Sequence, residues 1–389
     1  MIRSKQFPDS WKTKDLSEAV EFLDSLRVPV TQENRTEGDF PYYGANGLQG
    51  TIGDFIFNEP LVLLAEDGGH FGDPKKTIAY SIKGKTWVNN HAHVLRPKEG
   101  VDLNYLTRIL EQYDVTPYIT GSTRKKLTKA GASRIKISFP PGPNSLAEQK
   151  RIAAILDKAD AIRRKRQQAL QLTDDFLRST FLKMFGDPVT NPMGWDIMKS
   201  GDVFSERPRI GTTTPARGEG NLVVRVGEIG QHEISFERCG RVELSEKEFD
   251  RYVLKKGDFV LARAIGSKKQ LGKSSYYSSH CEPAVIDSHV MRMRVDPKIC
   301  EPKWFYALMA SEMGKSMLQK KGGATAVQFN INAKQASDLD IPIPPLHLQR
   351  SFVDMMDQVW RLKKQNGKSE TQSTEIFKSL QQRAFSGQL

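Results

Sequence analysis

No run in this chain approaches the ~18 apolar residues that a membrane-spanning helix requires, and Met1 to Leu16 contains no apolar core of a secretory signal. Cysteine is scarce. Cys239, Cys281 and Cys300 form no Cys-x-x-Cys pair, and an odd count does not suit a disulfide framework. A soluble, cytoplasmic protein without a membrane partner is expected. An acidic surplus is missing too: 58 Lys and Arg outweigh 46 Asp and Glu, giving a formal net charge of +12. That excess calls for a polyanionic partner, of which nucleic acid is the commonest.

Catalytic signatures are also lacking. Gly266 to Ser274 nearly spells a phosphate-binding loop, but five residues separate Gly266 from Gly272 where four are needed. A basic surface loop holding Arg263, Ser267, Lys268 and Lys269 is the better reading. His91, His93, His280 and Cys281 have no second cluster at zinc spacing, so satisfied structural histidines are expected and no metal site. Neither an Asn/Asp-Pro-Pro-aromatic tetrapeptide nor a glycine-rich turn of a cofactor-binding Rossmann unit occurs. No catalytic residue is assigned.

What the chain does contain, it contains twice. Leu146–Asp187 lies over Leu346–Gly387 at a constant offset of 200, without a gap. Identities include Leu146/Leu346, Gln149/Gln349, Asp157/Asp357, Ser179/Ser379 and Phe185/Phe385. Upstream, Gly121-Ser122-Thr123 parallels Gly323-Ala324-Thr325, and Ala92-His93-Val94 parallels Ser288-His289-Val290. With 389 residues there is chain enough for at least two cores. The expected division is 1–143, a globular domain; 144–187, a central helix; 188–343, a second globular domain; and 344–389, a C-terminal helix.

The helices follow from local chemistry. Pro140, Pro141 and Pro143 hold the chain extended, and Ser145-Leu146-Ala147-Glu148 spells a capping box. No Gly or Pro follows until Gly186. Apolar residues recur at steps near 3 and 4, so Ile155, Ala159, Ile162 and Phe176 are expected in a seam, with Met355, Val359, Leu362 and Leu380 opposite. A second row runs through Leu156, Arg163, Leu170, Leu177 and Met184. Such a rod needs a mate, and its own repeat is the obvious one. Gly367 stands where the second helix would fray or kink.

The globular parts read as α+β. Thr51–Phe57, Leu61–Ala65, Asn221–Val226 and Asp258–Arg263 look like strands, and Leu103–Tyr113 and Pro302–Met317 like helices. DNA-reading material is concentrated in loops. Tyr42, Tyr43 and Asn46 offer aromatics and an amide; Ser122, Thr123, Arg124, Lys125 and Lys126 offer hydroxyls and cations. The second copy has Thr325, Gln328 and Asn330 at the matching place, without the cations.

These features in this order resemble the specificity subunits of type I restriction-modification systems over essentially the whole chain. The resemblance rests on Tyr42-Tyr43-Gly44-Ala45-Asn46-Gly47, Leu63-Leu64-Ala65-Glu66-Asp67-Gly68, the loop at 121–123, and Leu146-Ala147-Glu148-Gln149-Lys150-Arg151-Ile152. Met184-Phe185-Gly186-Asp187 and the closing Arg383-Ala384-Phe385-Ser386-Gly387-Gln388-Leu389 complete it. It implies two target recognition domains separated by two long antiparallel coiled-coil helices, reading an asymmetric bipartite site in double-stranded DNA. It further implies two docked methyltransferase (modification) subunits and added restriction subunits, which would carry S-adenosylmethionine, ATP and Mg; no cofactor is expected in this chain. Two other readings stay open: a single-chain restriction endonuclease or DNA methyltransferase, and a coiled-coil scaffold that binds no DNA.

Overall fold

The computed structural model describes every residue except 1, 3–6, 74–75, 122–123, 231, 266–270, 322 and 325–328. It divides into two units: Met1–Gln168 with Gly367–Leu389, and Ala169–Asn366. Each unit therefore takes part of both long helices. The central helix, Ser145–Phe185, has 41 residues and the C-terminal helix, Leu346–Phe385, has 40. The latter runs through Gly367 without interruption. None of the described helices is long and apolar enough to cross a membrane.

In the first unit, Leu61–Ala65 is buried along its whole length because both of its faces are covered. Val62 and Leu64 point into a core shared with helical residues, while Leu61 and Leu63 point into a second core with Phe57 and Val88. The strand sits in an antiparallel sheet, between Ala92–Pro97 and Ala79–Ile82. The second sheet is mixed, with Phe40–Gly44 parallel to Lys85–Val88 and antiparallel to Gly47–Ile52. Sheet, sheet and helices thus form three layers.

The second unit repeats the plan. Phe259–Ala262 sends Phe259 and Leu261 to the helical side, and Val260 and Ala262 to the other sheet. Again one pair is parallel, Asn221–Val224 with Ala284–Ile286. The sequence-predicted helix from Pro302 is broken at Ser311, giving Pro302–Ala310 and Glu312–Lys321.

In both units the glutamine at the start of the long helix accepts the amide at the head of a domain helix. The buried Gln149 side chain accepts the Asp102 amide at 2.9 Å and donates to the Gly100 carbonyl at 3.0 Å. Gln349 accepts the Glu301 amide at 2.8 Å and donates to the Pro344 carbonyl at 2.6 Å. Each helix end then inserts a phenylalanine. Phe385 lies 6.1 Å from Phe7 and 6.0 Å from Tyr105, ring to ring. Phe185 lies 5.5 Å from Trp304 and 5.6 Å from Phe352. In the first unit, then, the start of the central helix (Ile152, Ala153, Leu156) shares a core with the end of the C-terminal helix. In the second, the end of the central helix shares one with Phe352, Val353 and Met356.

Two local expectations are corrected. The capping box does not form: the Glu148 amide donates to the Asn144 carbonyl and its carboxylate pairs with Arg151. The seam row also shifts. Val359 is buried, Leu380 packs on the first core, and Ile155, Ala159 and Met355 are half-buried. Ile162, Phe176 and Leu362, however, are 45%, 48% and 52% exposed. The face turned inward is chosen by the domain, not by the apolar count. Arg108 reaches from Leu103–Leu110 to Asp157 at 2.7 Å and Asp160 at 3.2 Å, which turns that side of the helix down.

Truncation at the two insertion points should therefore cost far more than truncation of the exposed row. Phe385→Ala or Phe185→Ala is expected to lose about 3–5 kcal/mol of stability in denaturant titrations. Ile162→Ala should stay within about 0.5 kcal/mol of the parent.

Candidate nucleic-acid interface

The quoted loops of the first unit meet at one place. Gly44 pairs with Gly47, so Ala45 and Asn46 form a two-residue turn, and Gly47 takes a φ of +109°. The Asn46 side chain donates to the Gly68 carbonyl at 2.9 Å, tying this turn to Glu66-Asp67-Gly68. Those residues leave the buried strand Leu61–Ala65, and the Glu66 amide donates to the His91 carbonyl at 2.8 Å. The basic loop closes over them, with the Leu127 amide donating to the Glu66 carbonyl at 2.7 Å.

Side chains reinforce the meeting point. Arg124, its side chain 71% exposed, reaches Asp67 at 3.1 Å, and Lys126 reaches Glu66 at 3.0 Å. Lys125 is exposed and has no ion-pair partner among the described residues. Asn46 is exposed and Tyr43 half-buried. Tyr42 needs correction as a surface contact: it is 1% exposed, and its hydroxyl donates to the Val30 carbonyl at 3.0 Å. Strand alternation turns its ring inward, where the Arg35 guanidinium covers it at 3.8 Å. Ser122 and Thr123 lie outside the described residues.

Beneath the loops is an ion-pair network. His93 is buried, and its two ring nitrogens face the Asp24 carboxylate at 2.7 Å and the Leu127 carbonyl at 2.8 Å. Burial pushes Asp24 up, but the hydrogen bond and charge of His93, the Val94 amide and Arg27 outweigh it and hold its carboxyl below the ordinary value. Glu66 is lowered likewise, burial being opposed by Arg27 and Lys126. Ligand atoms of Asp24, Glu66 and His93 lie within 4.8 Å of one another, a spacing open to a metal ion. Arg27 at 2.7 Å and Lys126 already neutralise Glu66, and the His93 ring is spent on Asp24 and Leu127. The group is a scaffold for the basic loop.

In the second unit the position of Glu66 carries the opposite charge. Arg263 stands where Glu66 stands: its amide donates to the His289 carbonyl at 3.0 Å, and its carbonyl accepts the Ile331 amide at 2.9 Å. The guanidinium donates to the Ser288 carbonyl, the Ile331 carbonyl and the Asn330 side-chain oxygen at 3.0, 3.1 and 2.6 Å. No carboxylate pairs with it among the described residues, and burial pulls it below the ordinary arginine value. Arg263 and Asn330 thus hold the corner together, rather than standing free for a ligand. Ser267, Lys268, Lys269, Thr325 and Gln328 lie outside the described residues.

The sequence profile described as the type I restriction modification DNA specificity domain matches residues 8–172 and again 192–371. The chain belongs to this family. The two matches follow the internal repeat. A putative type I restriction enzyme specificity subunit of Haemophilus influenzae is 28% identical over 362 residues, covering 89% of this chain and 86% of the relative. The EcoKI specificity subunit of Escherichia coli is 21% identical, covering 99% and 90%. Among solved structures, the type I restriction-modification S subunit from M. genitalium superposes with a TM-score of 0.62 at 13% identity, over 96% of both chains. At that identity the likeness is one of fold.

Geometry also corrects the register of the repeat. Glu66 and Arg263 each donate to the carbonyl of a histidine, so His91, not His93, is the counterpart of His289. The spacing Asn89-x-His91 and Asp287-x-His289 was the available signal. In both, the first side chain accepts the histidine amide, at 2.8 and 2.9 Å. The sequence motif named Asp67 without a role, and gave no sign of Asn89 or Asp287.

A pH dependence follows from Asp24. Its folded carboxyl titrates below 3.8, so the stability it contributes is complete above that value and is lost as pH falls through the folded one. Asp24→Asn should cost about 2 kcal/mol at neutral pH and flatten the acid limb of the first unit's unfolding curve, followed by circular dichroism from pH 6 to about 2.

Proposed function

We propose that the chain is the DNA-reading subunit of a type I restriction-modification complex, each unit recognising one half of an asymmetric bipartite target. The observation that carries this is the convergence of the 42–47, 66–68 and 124–126 loops on one cation-bearing corner of the first unit, with an equivalent corner in the second. Lysines and arginines supply salt-dependent attraction to phosphates, and a few polar side chains select bases. Equivalent corners bearing Glu66 and Arg263 are not interchangeable, which favours unlike half-sites over a palindrome.

The long helices act as the spacer. At 1.5 Å per residue, the 41-residue helix is a rod of roughly 62 Å. Their exposed apolar residues recur at the repeat offset, Ile162 with Leu362 and Phe176 with Ile376. Duplicate patches of this kind suit two copies of one partner, in keeping with two methyltransferase subunits; restriction subunits would join the assembly. Those partners would hold S-adenosylmethionine, ATP and Mg and carry out the chemistry.

Spacing and reading are separable by experiment. Inserting one helical turn between 164 and 173, matched by one between 364 and 373, should change the unread gap and leave both half-sites intact, as read by methylome mapping in cells. Altered half-sites at a constant gap would contradict the spacer. In addition, Lys125→Ala should weaken DNA binding and lower its salt dependence by about one counterion.

A further inference from the structure

Two histidines in equivalent positions have their backbones held alike while the outer end of each ring makes no bond to a described residue. His91 and His289 each stand in the turn just before the strand beside the first sheet's central strand, and each has its amide fixed by the side chain two residues earlier. Each ring is anchored through Nδ1 to a carboxylate: His91 to Asp67, and His289 to Asp287 at 3.0 Å. Their side chains are 40% and 52% exposed, whereas that of His93, the structural histidine next along, is 1% exposed. Neither Nε2 makes a hydrogen bond to any described residue. An exposed polar group whose other end is held rigidly has lost its rotamer freedom before any ligand arrives, so little of it remains to be lost on binding.

The surroundings point to DNA rather than to a metal or a proton relay. Asp67, which holds His91, also holds the exposed Arg124, so the two side chains share one brace on the loop corner. Around His289 stand the Ser288 hydroxyl, 3.3 Å from Nδ1, and the Arg263 guanidinium, bound to the Ser288 carbonyl. With Nδ1 facing a carboxylate, Nε2 is the ring atom left to meet a ligand, as a donor when it carries a proton and as an acceptor when it does not. In the major groove that atom can accept from the exocyclic amine of an adenine or a cytosine, or donate to the O6 or N7 of a guanine.

Resting on the DNA-reading function set out above, we infer that His91 and His289 are specificity-determining residues, each reading one base pair in its own half-site. Their carboxylates come from different places, Asp67 from a neighbouring strand end and Asp287 from the histidine's own turn. The two rings are therefore held in different ways at equivalent positions, which allows a duplicated device to read unlike sites.

The test uses the full chain co-expressed with its methyltransferase partner, with genome-wide methylation mapping of the parent, His91→Ala and His289→Ala. Each variant should relax one base pair of one half-site, a different half for each, with discrimination there falling roughly tenfold or more. His91→Gln and His289→Gln, which keep an acceptor, should retain a preference at the same position and serve where an alanine variant fails to fold. Unchanged motifs in folded variants overturn the assignment, even if methylation slows, because a phosphate contact slows all sequences alike. A parent without any bipartite motif sinks the DNA-reading function itself, a result seen before any variant is made.

Discussion

A long amphipathic helix cannot bury its apolar side alone, and the way both helices find cover governs the rest of this molecule. Each recognition unit has a sheet whose helical side is only partly covered by its own sequence repeat. The missing part is supplied by the end of the other repeat's helix: Phe385 and Ala384 in the first unit, Phe181 and Phe185 in the second. The two phenylalanines occupy the same place in the repeat, and each meets aromatic rings edge-on or tilted, the arrangement that favours π contacts. Neither core closes without a residue from the far repeat.

On this shared frame the two units have diverged where a ligand would be met. The joint between helix and domain is ionic in the first unit, with Arg108 among Glu111, Asp157 and Asp160. In the second, Lys303 lies over the rings of Tyr276 and Trp360 at 5.2 and 5.0 Å, and it pairs with Asp357. At the loop corner the divergence goes as far as charge inversion, Glu66 against Arg263. The architecture is duplicated and its corners are unlike, and the carboxylates within the first corner have a part in that difference. Asp67 and Glu66 tie down the basic loop through Arg124 and Lys126.

The frame was largely legible in the sequence. The offset repeat, the two long helices and the α+β domains emerge from identities such as Gln149/Gln349, whose side-chain oxygens accept equivalent backbone amides in both units. The inward row of the helices was not legible, because Ile162 and Phe176 are as apolar as Ile152 and Phe181, and packing against each unit's own core decides between them. The corner was half legible. Motif loops could be named, yet their convergence depends on pairings between residues far apart in the chain, such as Asn46 with Gly68 and Leu127 with Glu66. Tyr42 and Tyr43 are adjacent and alike in chemistry, and strand alternation alone sends one inward. His93 drew attention as a match for His289, although the backbone pairing assigns that place to His91.

The last turns of the chain are where the far repeat closes the first unit's core. Hydrogen–deuterium exchange on a chain lacking residues 376–389 measures whether they close the first unit's core. Strands Leu61–Ala65 and Ala92–Pro97 should lose most of their protection while Phe259–Ala262 and Val290–Val295 keep theirs. Full protection in all four strands after that truncation would contradict it.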